Sequence, residues 1–156
     1  MYVKVENAET AFVRGVRFAF ASQGALLEKE HFEWRSFPLE TSLKTNKVIS
    51  GWLQGWHRTI EFDTVEYHGD TENFFFIEGE CIMPFCDQKD DKADMGTLQL
   101  VRILPGMQVE VEAGKCHYVP IPLTDYFRAY VFTPRQESVL LPLEETVQQL
   151  TKNHTL

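Results

Sequence analysis

Two short segments carry polar residues at spacings that suit a shared metal or acid–base site. In the first, Glu66-Tyr67-His68 is followed by Glu72 and Gly79, and in the second Gly106 leads to Gly114 and His117. Side chains alternate faces along an extended strand, so Glu66 and His68 point the same way and Tyr67 points the other. After a Gly69-Asp70-Thr71 turn, the run Glu72-Asn73-Phe74-Phe75-Phe76-Ile77 is rich in strand formers, and Glu72 can return a carboxylate to the same interior. His117, entering a later strand, offers a fourth group. Two carboxylates with two imidazoles suit one divalent ion such as Mn, Fe, Ni or Zn, and suit a soft copper(I) or iron–sulfur centre poorly. The same four residues also make sense as hydrogen-bonded polar groups in a barrel mouth without metal, with Glu66 and His68 moving protons.

These groups must be positioned by short strands. Runs of β type recur at Phe32–Trp34, Val48–Trp52, Thr59–Val65, Asn73–Met83, Thr97–Leu104, Gln108–Val111, His117–Pro120 and Tyr126–Thr133, with turn residues between them. Such spacing predicts a sandwich or barrel. Asn7 is placed to cap a short helix through about Val13, ended by Gly15, with Val16, Phe18 and Phe20 alternating beyond it as a strand. Near the other end Leu143, Val147 and Leu150 share a helical face, and Glu144 and Glu145 sit where a helix dipole favours them, which predicts a closing helix. The charged stretch Asp87–Asp94 reads as a solvated hairpin tip. Trp52, Trp56, Phe74, Phe75 and Phe76 are read as core aromatics.

A chain of 156 residues with 44% hydrophobic content is sized for one domain with its own core. The formal charge of −8 argues against nucleic acid or an anionic membrane as the main partner, since a phosphate backbone wants a basic footprint. The amino terminus lacks the apolar stretch of a signal peptide, and no window reaches transmembrane length, so a cytoplasmic protein is expected. Cys81, Cys86 and Cys116 cannot all pair within one chain and fit no zinc pattern, which leaves buried or half-buried free thiols. Cys116 adjoins His117, but strand neighbours face opposite ways, so the thiol is expected to lie away from the imidazole.

The motif spacing resembles the cupin family. Its first motif has His-x-His, a Glu and a Gly, matched by Glu66, His68, Glu72 and Gly79; its second is matched at Gly106, Glu112, Gly114, His117 and Ile121. Departures from the pattern are Ile60 for the opening Gly, Glu66 for His, Glu112 for Pro and Ile121 for Asn. The resemblance implies an all-β, RmlC-like antiparallel barrel or jelly roll spanning residues 1–156 as a single domain. Its parts are an N-terminal helix and strand over 1–22, a barrel over 30–134 and a C-terminal helix over 141–152. A homodimer is expected from the habit of such folds and from aromatic strands that would otherwise expose an edge.

Within cupins, the order of features is similar to the ureidoglycolate lyase group: Glu9-Thr10-Ala11-Phe12 leading to Gly15, then Glu66-Tyr67-His68 with Phe74 and Phe75, the Thr97-Leu98 strand start, and His117 with Pro120. Members tend to carry Glu-x-His at the first motif. This chain departs from that group at Glu72, where an amide is expected, and at Glu112, where a histidine is expected. The implied reaction is cleavage of ureidoglycolate to glyoxylate and urea, with Glu66 or Glu72 as base and His68 or His117 as acid or orienting group. An acid substrate needs a counter-charge, for which Arg102, Lys115 and Arg128 are the candidates, unless the ion supplies it. A non-catalytic small-ligand-binding cupin, and a metal-dependent oxygenase or isomerase acting on another small polar acid or sugar, are the competing readings.

Overall fold

The structure is a computed structural model that describes residues 1–149. In chain order its strands are β1 (Tyr2–Val3), β2 (Val5–Asn7), β3 (Val16–Phe20), β4 (Leu26–Lys29), β5 (Phe32–Arg35), β6 (Val48–Trp56), β7 (Glu61–Tyr67), β8 (Glu72–Glu78), β9 (Cys81–Lys89), β10 (Lys92–Ile103), β11 (Met107–Val111), β12 (Cys116–His117), β13 (Ile121–Pro122), β14 (Tyr126–Pro134) and β15 (Val139–Gln149). The larger sheet runs β1-β15-β7-β12-β9-β10-β2, with β13 also paired to β9; the smaller runs β3-β11-β8-β14-β6, and β4 and β5 form a separate hairpin. No helix among the described residues is long and apolar enough to cross a membrane.

The two sheets face each other across one core. Phe74 and Phe76 of β8, Met83 and Phe85 of β9, Val101 and Ile103 of β10, Val109 of β11 and Phe127 of β14 pack together between them. A second cluster, including Val65, Ile82, Cys86, Leu100, Cys116, Leu141 and Val147, lies on the opposite face of the larger sheet. Residues Cys81–Cys86 are therefore buried on both faces, which removes the usual alternation from β9. That is why Asn73–Met83 looks like one strand in sequence. Gly79 breaks it, at φ +74°, where an added Cβ would lie 2.0 Å from the Tyr126 carbonyl oxygen.

Neither expected terminal helix forms. Val5–Asn7 pairs in parallel with Leu100–Arg102, and Ala8 N–H donates to the Arg102 carbonyl at 3.2 Å, so the chain is held to a sheet edge. Only one turn follows, in which Thr10 and Ala11 N–H groups donate to the Asn7 carbonyl. At the other end, residues 141–149 of the expected 141–152 helix belong to β15, antiparallel to β7, and residues 150–152 lie outside the described residues. A register shift between Pro142 and Val147 lets both Leu141 and Val147 reach the second core cluster. Tertiary pairing overrides the helical spacing.

The aromatic set also divides. Phe74 and Phe76 are core, whereas Trp52 and Trp56 are 52% and 68% exposed because they lie on β6, an edge strand. Phe75 points out of the barrel, half-buried beneath Phe37, whose ring meets it edge-on at 5.4 Å. Phe75→Ala is expected to cost about 1–3 kcal/mol in urea denaturation, below the cost of truncating a fully enclosed core ring such as Phe85.

Candidate metal centre

Glu72, Phe74 and Phe76 alternate on one face of β8, so the face that sends two rings into the core also sends in a carboxylate. His117 pairs with Glu66 across β12 and β7, and with Phe85 across β12 and β9, so Glu66 and His117 share the interior row of Phe85. His68 continues the face of Glu66 just beyond β7. The turn after β11 is tied to it, because Gly114 N–H donates to the His68 carbonyl at 2.8 Å. Four residues expected to act together are thus brought together. One donor atom each from Glu66, His68 and His117 lie within 4.8 Å of one another.

Glu72 adjoins this trio. Its Oε2 lies 3.2 Å from His68 Nε2 and 3.2 Å from His117 Nε2. The far nitrogens are also held: His68 Nδ1 is 3.1 Å from the Glu137 carbonyl, and His117 Nδ1 is 3.1 Å from the Lys115 carbonyl. A carbonyl only accepts, so each Nδ1 carries the hydrogen, and each neutral ring turns its Nε2 lone pair toward Glu72. Three acceptors then converge, a repulsive arrangement unless protons or a cation lie among them. Outer Nδ1–H groups anchored to carbonyls, with Nε2 aimed inward beside carboxylates, are what a divalent ion of the Mn, Fe, Ni or Zn kind requires. The residues fit such an ion. His68, Glu72 and His117 are buried, while Glu66 is the most open of the four.

Protons do this work in the metal-free protein. Burial alone would raise the Glu72 carboxyl, but the bonds from His117 and His68 outweigh it and hold it at about 2, against an ordinary 4.5. Burial pulls His68 down, and its bond to Glu72 together with the Glu137 carbonyl more than reverses this, leaving it above 6.5. The Glu72 contribution to stability is complete above pH 4.5 and is lost as pH falls toward 2. The His68 contribution is complete below pH 6.5 and is lost as pH rises through its raised value. Urea denaturation of the metal-free protein is expected to show the cluster contributing most between those limits. A divalent ion takes the place of the His68 Nε2 proton, so in its presence the optimum moves to higher pH.

The three candidate cations lie elsewhere. Arg102 pairs with Glu80, its Nε 3.0 Å from Oε2, on the face of β10 away from the barrel interior. Arg128 meets Glu78 at 3.0 Å and Gln54 at 3.1 Å on the outer face of β14, and sits over the Trp52 and Tyr126 rings. Lys115 Nζ is buried against Asp87 at 2.8 Å, an aspartate also bonded by Arg14. Lys115 serves the cluster only through its carbonyl. Of the other motif positions, Glu112 is exposed in the turn after β11, and Ile121 packs in the second core cluster. Cys116 faces that second cluster opposite Cys86, away from the interior row of His117.

Sequence spacing does not reveal the Glu137 carbonyl, which reaches His68 from the β14–β15 loop, nor the Phe74 ring set edge-on to His117 with centroids 6.1 Å apart. The loop is held by Gln136, whose Oε1 accepts from Asp70 N–H at 2.8 Å. The two loop contacts join residues 69 and 66 positions apart, and no local pattern marks them.

No protein-family model matches the chain, and no curated protein matches it. Among solved structures, it is similar to RmlC from Streptococcus suis in complex with dTDP-D-xylose, at TM-score 0.50 and 8% identity, covering 78% of this chain and 65% of that one. It therefore spans just under two thirds of the length of that RmlC chain. A mutant of the 3,4-ketoisomerase QdtA from Thermoanaerobacterium thermosaccharolyticum matches at TM-score 0.49 and 7% identity, covering 81% of this chain and 85% of that one. A mutant of Bacillus subtilis oxalate decarboxylase OxdC matches at 0.45 and 14%, covering 62% and 24%. The likeness to RmlC, with the two facing sheets and their order, shows the fold: this chain is an RmlC-like, cupin-type β-barrel.

Proposed function

We propose that this barrel binds one divalent ion through Glu66, His68, Glu72 and His117 and acts on a small polar acid, with cleavage of ureidoglycolate to glyoxylate and urea as the specific reaction. The observation that carries the reading is the convergence of both Nε2 atoms on one Glu72 oxygen at 3.2 Å, with both Nδ1 atoms held by carbonyls. When bound, the ion supplies the positive charge that polarises the hydroxyl and carboxylate oxygens of the substrate. That role suits a site whose candidate cations are all engaged with other acids.

Glu66 is the base through its second carboxylate oxygen, the one not offered to the ion, because it is the most open of the four and its side chain has no hydrogen-bond or ion-pair partner among the described residues. It takes the hydroxyl proton as the carbonyl of glyoxylate forms, the carbon–nitrogen pair leaves with the ureido nitrogen, and the proton returns to that nitrogen to complete urea. His68 and His117 orient the oxygens, kept in register by Glu137 and Lys115. A homodimer is part of the proposal, supported by the exposed β6 edge with Trp52 and Trp56.

The test is elemental analysis of untagged protein after growth with mixed divalent ions and long dialysis, followed by glyoxylate release from ureidoglycolate. About one ion per chain with metal-dependent release supports the proposal in full. Metal without release keeps the centre and rejects the substrate; absence of metal at every ion tried rejects the centre.

A further inference from the structure

The carbonyls that hold the two imidazoles of the centre are themselves held unequally. Lys115, which supplies the one for His117, donates its own N–H to the Glu112 carbonyl at 3.1 Å, and its buried ammonium meets Asp87 at 2.8 Å. The residue after it pairs with Cys86 across β12 and β9. Glu137, which supplies the carbonyl for His68 at 3.1 Å, lies instead in the largely exposed stretch 135–138 between β14 and β15. Among the described residues, 135–138 make no hydrogen bond from main chain to main chain.

One side chain ties that stretch down. Gln136 turns its amide onto the Asp70 main chain: Oε1 accepts from Asp70 N–H at 2.8 Å, and Nε2 donates to the Thr133 hydroxyl oxygen at 2.9 Å and reaches the Asp70 carbonyl at 3.4 Å. This orientation is the one Asp70 demands, because a main-chain N–H only donates. The turn that Gln136 grips is firmly held on its other side. Asp70 is buried, and its carboxylate accepts from Thr71 N–H at 2.8 Å and from Lys44 N–H at 3.0 Å, while Lys44 Nζ donates to the Gly69 carbonyl at 2.6 Å. In the chain this turn lies between His68 and Glu72, so Gln136 joins the loop to the segment that carries both.

The consequence falls on one ring. With the Glu137 carbonyl in place, His68 Nδ1 keeps its hydrogen and Nε2 faces inward as a lone pair. Without that carbonyl the proton is free to sit on Nε2 and bond to Glu72 Oε2, 3.2 Å away, in the position an ion needs. We propose that Gln136 is a positioning residue of the metal centre, which clamps the Glu137 carbonyl against His68 and so sets the affinity for a divalent ion through that ring alone. The inference rests on the reading of Glu66, His68, Glu72 and His117 as an ion site. Gln136 bonds to none of those residues and acts only through the loop.

The experiment compares the full chain with Gln136→Leu, which fills similar space without the polar atoms. Zinc affinity is read by competition with a chromophoric chelator, and the histidine ring nitrogens by proton–nitrogen NMR of the zinc-loaded and metal-free proteins. Expected is zinc binding about 10–100-fold weaker, the loss that removing an outer partner brings to a metal site. The His68 Nδ1–H signal is expected to vanish by exchange with water while the His117 Nδ1–H signal persists, whereas a general loosening of the fold would affect both rings alike. Thr133→Val removes only the hydroxyl that holds Gln136 Nε2, and is expected to give the same pattern at smaller size even if the leucine variant does not fold. Unchanged zinc affinity in folded Gln136→Leu, or equal loss of both ring signals, overturns the proposal. If the parent itself binds no zinc, that result counts against the ion site, and the metal-free pair decides the clamp: selective loss of the His68 signal sustains it, and identical signals overturn it.

Discussion

Replacing His68 by alanine is expected to bring metal content from about one ion per chain to below about a tenth after dialysis, with glyoxylate release falling in proportion. Loss of an outer hydrogen-bond partner already costs a metal site 10–100-fold in affinity, and removing a ligand costs more. The residual site would be His117 with Glu72 and Glu66, and its geometry depends on the lost ring because Glu72 Oε2 is held between both imidazoles. The fold itself should survive. His68 lies at the end of β7, partnered by Glu72 and a loop carbonyl, and none of the buried ring contacts in the core depends on it. Metal-free His68→Ala is therefore expected to unfold in urea within about 2 kcal/mol of the metal-free parent. Unaltered metal content in the variant would place the ion somewhere else.

Gly79→Ala is expected to show the opposite pattern, a stability loss on the order of 3–5 kcal/mol with metal per folded chain unchanged. The position matches the last residue of the first motif, yet its role is mechanical. At φ +74° a side chain is strained, and the new methyl would sit 2.0 Å from the Tyr126 carbonyl and 3.0 Å from the Phe127 Cα, both backbone atoms that cannot swing aside. Relief requires moving β14 away from the β8–β9 turn, which loosens Phe127, fully buried in the core. Urea denaturation of parent and variant, each followed by metal analysis of the folded fraction, separates the two effects. A change under about 0.5 kcal/mol would show that the turn has room the geometry denies.

The two substitutions divide the motif residues into those that do chemistry and those that make the barrel close. Spacing alone does not make this division. Glu66, His68, Glu72 and Gly79 are equally well matched by position, but only the first three offer atoms to a ligand, and Glu112 and Ile121 match by position while lying outside the cluster. Arg102, Lys115 and Arg128 stand out in sequence only as cations that an acid substrate would need. Their partners are Glu80 of the β8–β9 turn, Asp87 of β9 and Glu78 of β8, and an ion pair across strands leaves no local trace.

Sequence by itself determined what depends on near neighbours. Strand alternation put Glu66 and His68 on one face and Cys116 opposite His117, the charged stretch Asp87–Asp94 marked a hairpin tip that the structure narrows to Asp90 and Asp91 at positive φ, and the recurrence of short β runs indicated a sandwich or barrel. The tertiary structure alone decided what depends on distant partners. Val5–Asn7 and Val139–Gln149 are strands because unpaired edges of β10 and β7 were there to receive them, an energy larger than the weak helical preference of their own residues. It likewise brought the Glu137 carbonyl to His68, and laid Trp34 to Thr41 over Asn73 and Gln108. Local patterning reports which face a side chain takes; only the closed barrel reports what that face meets.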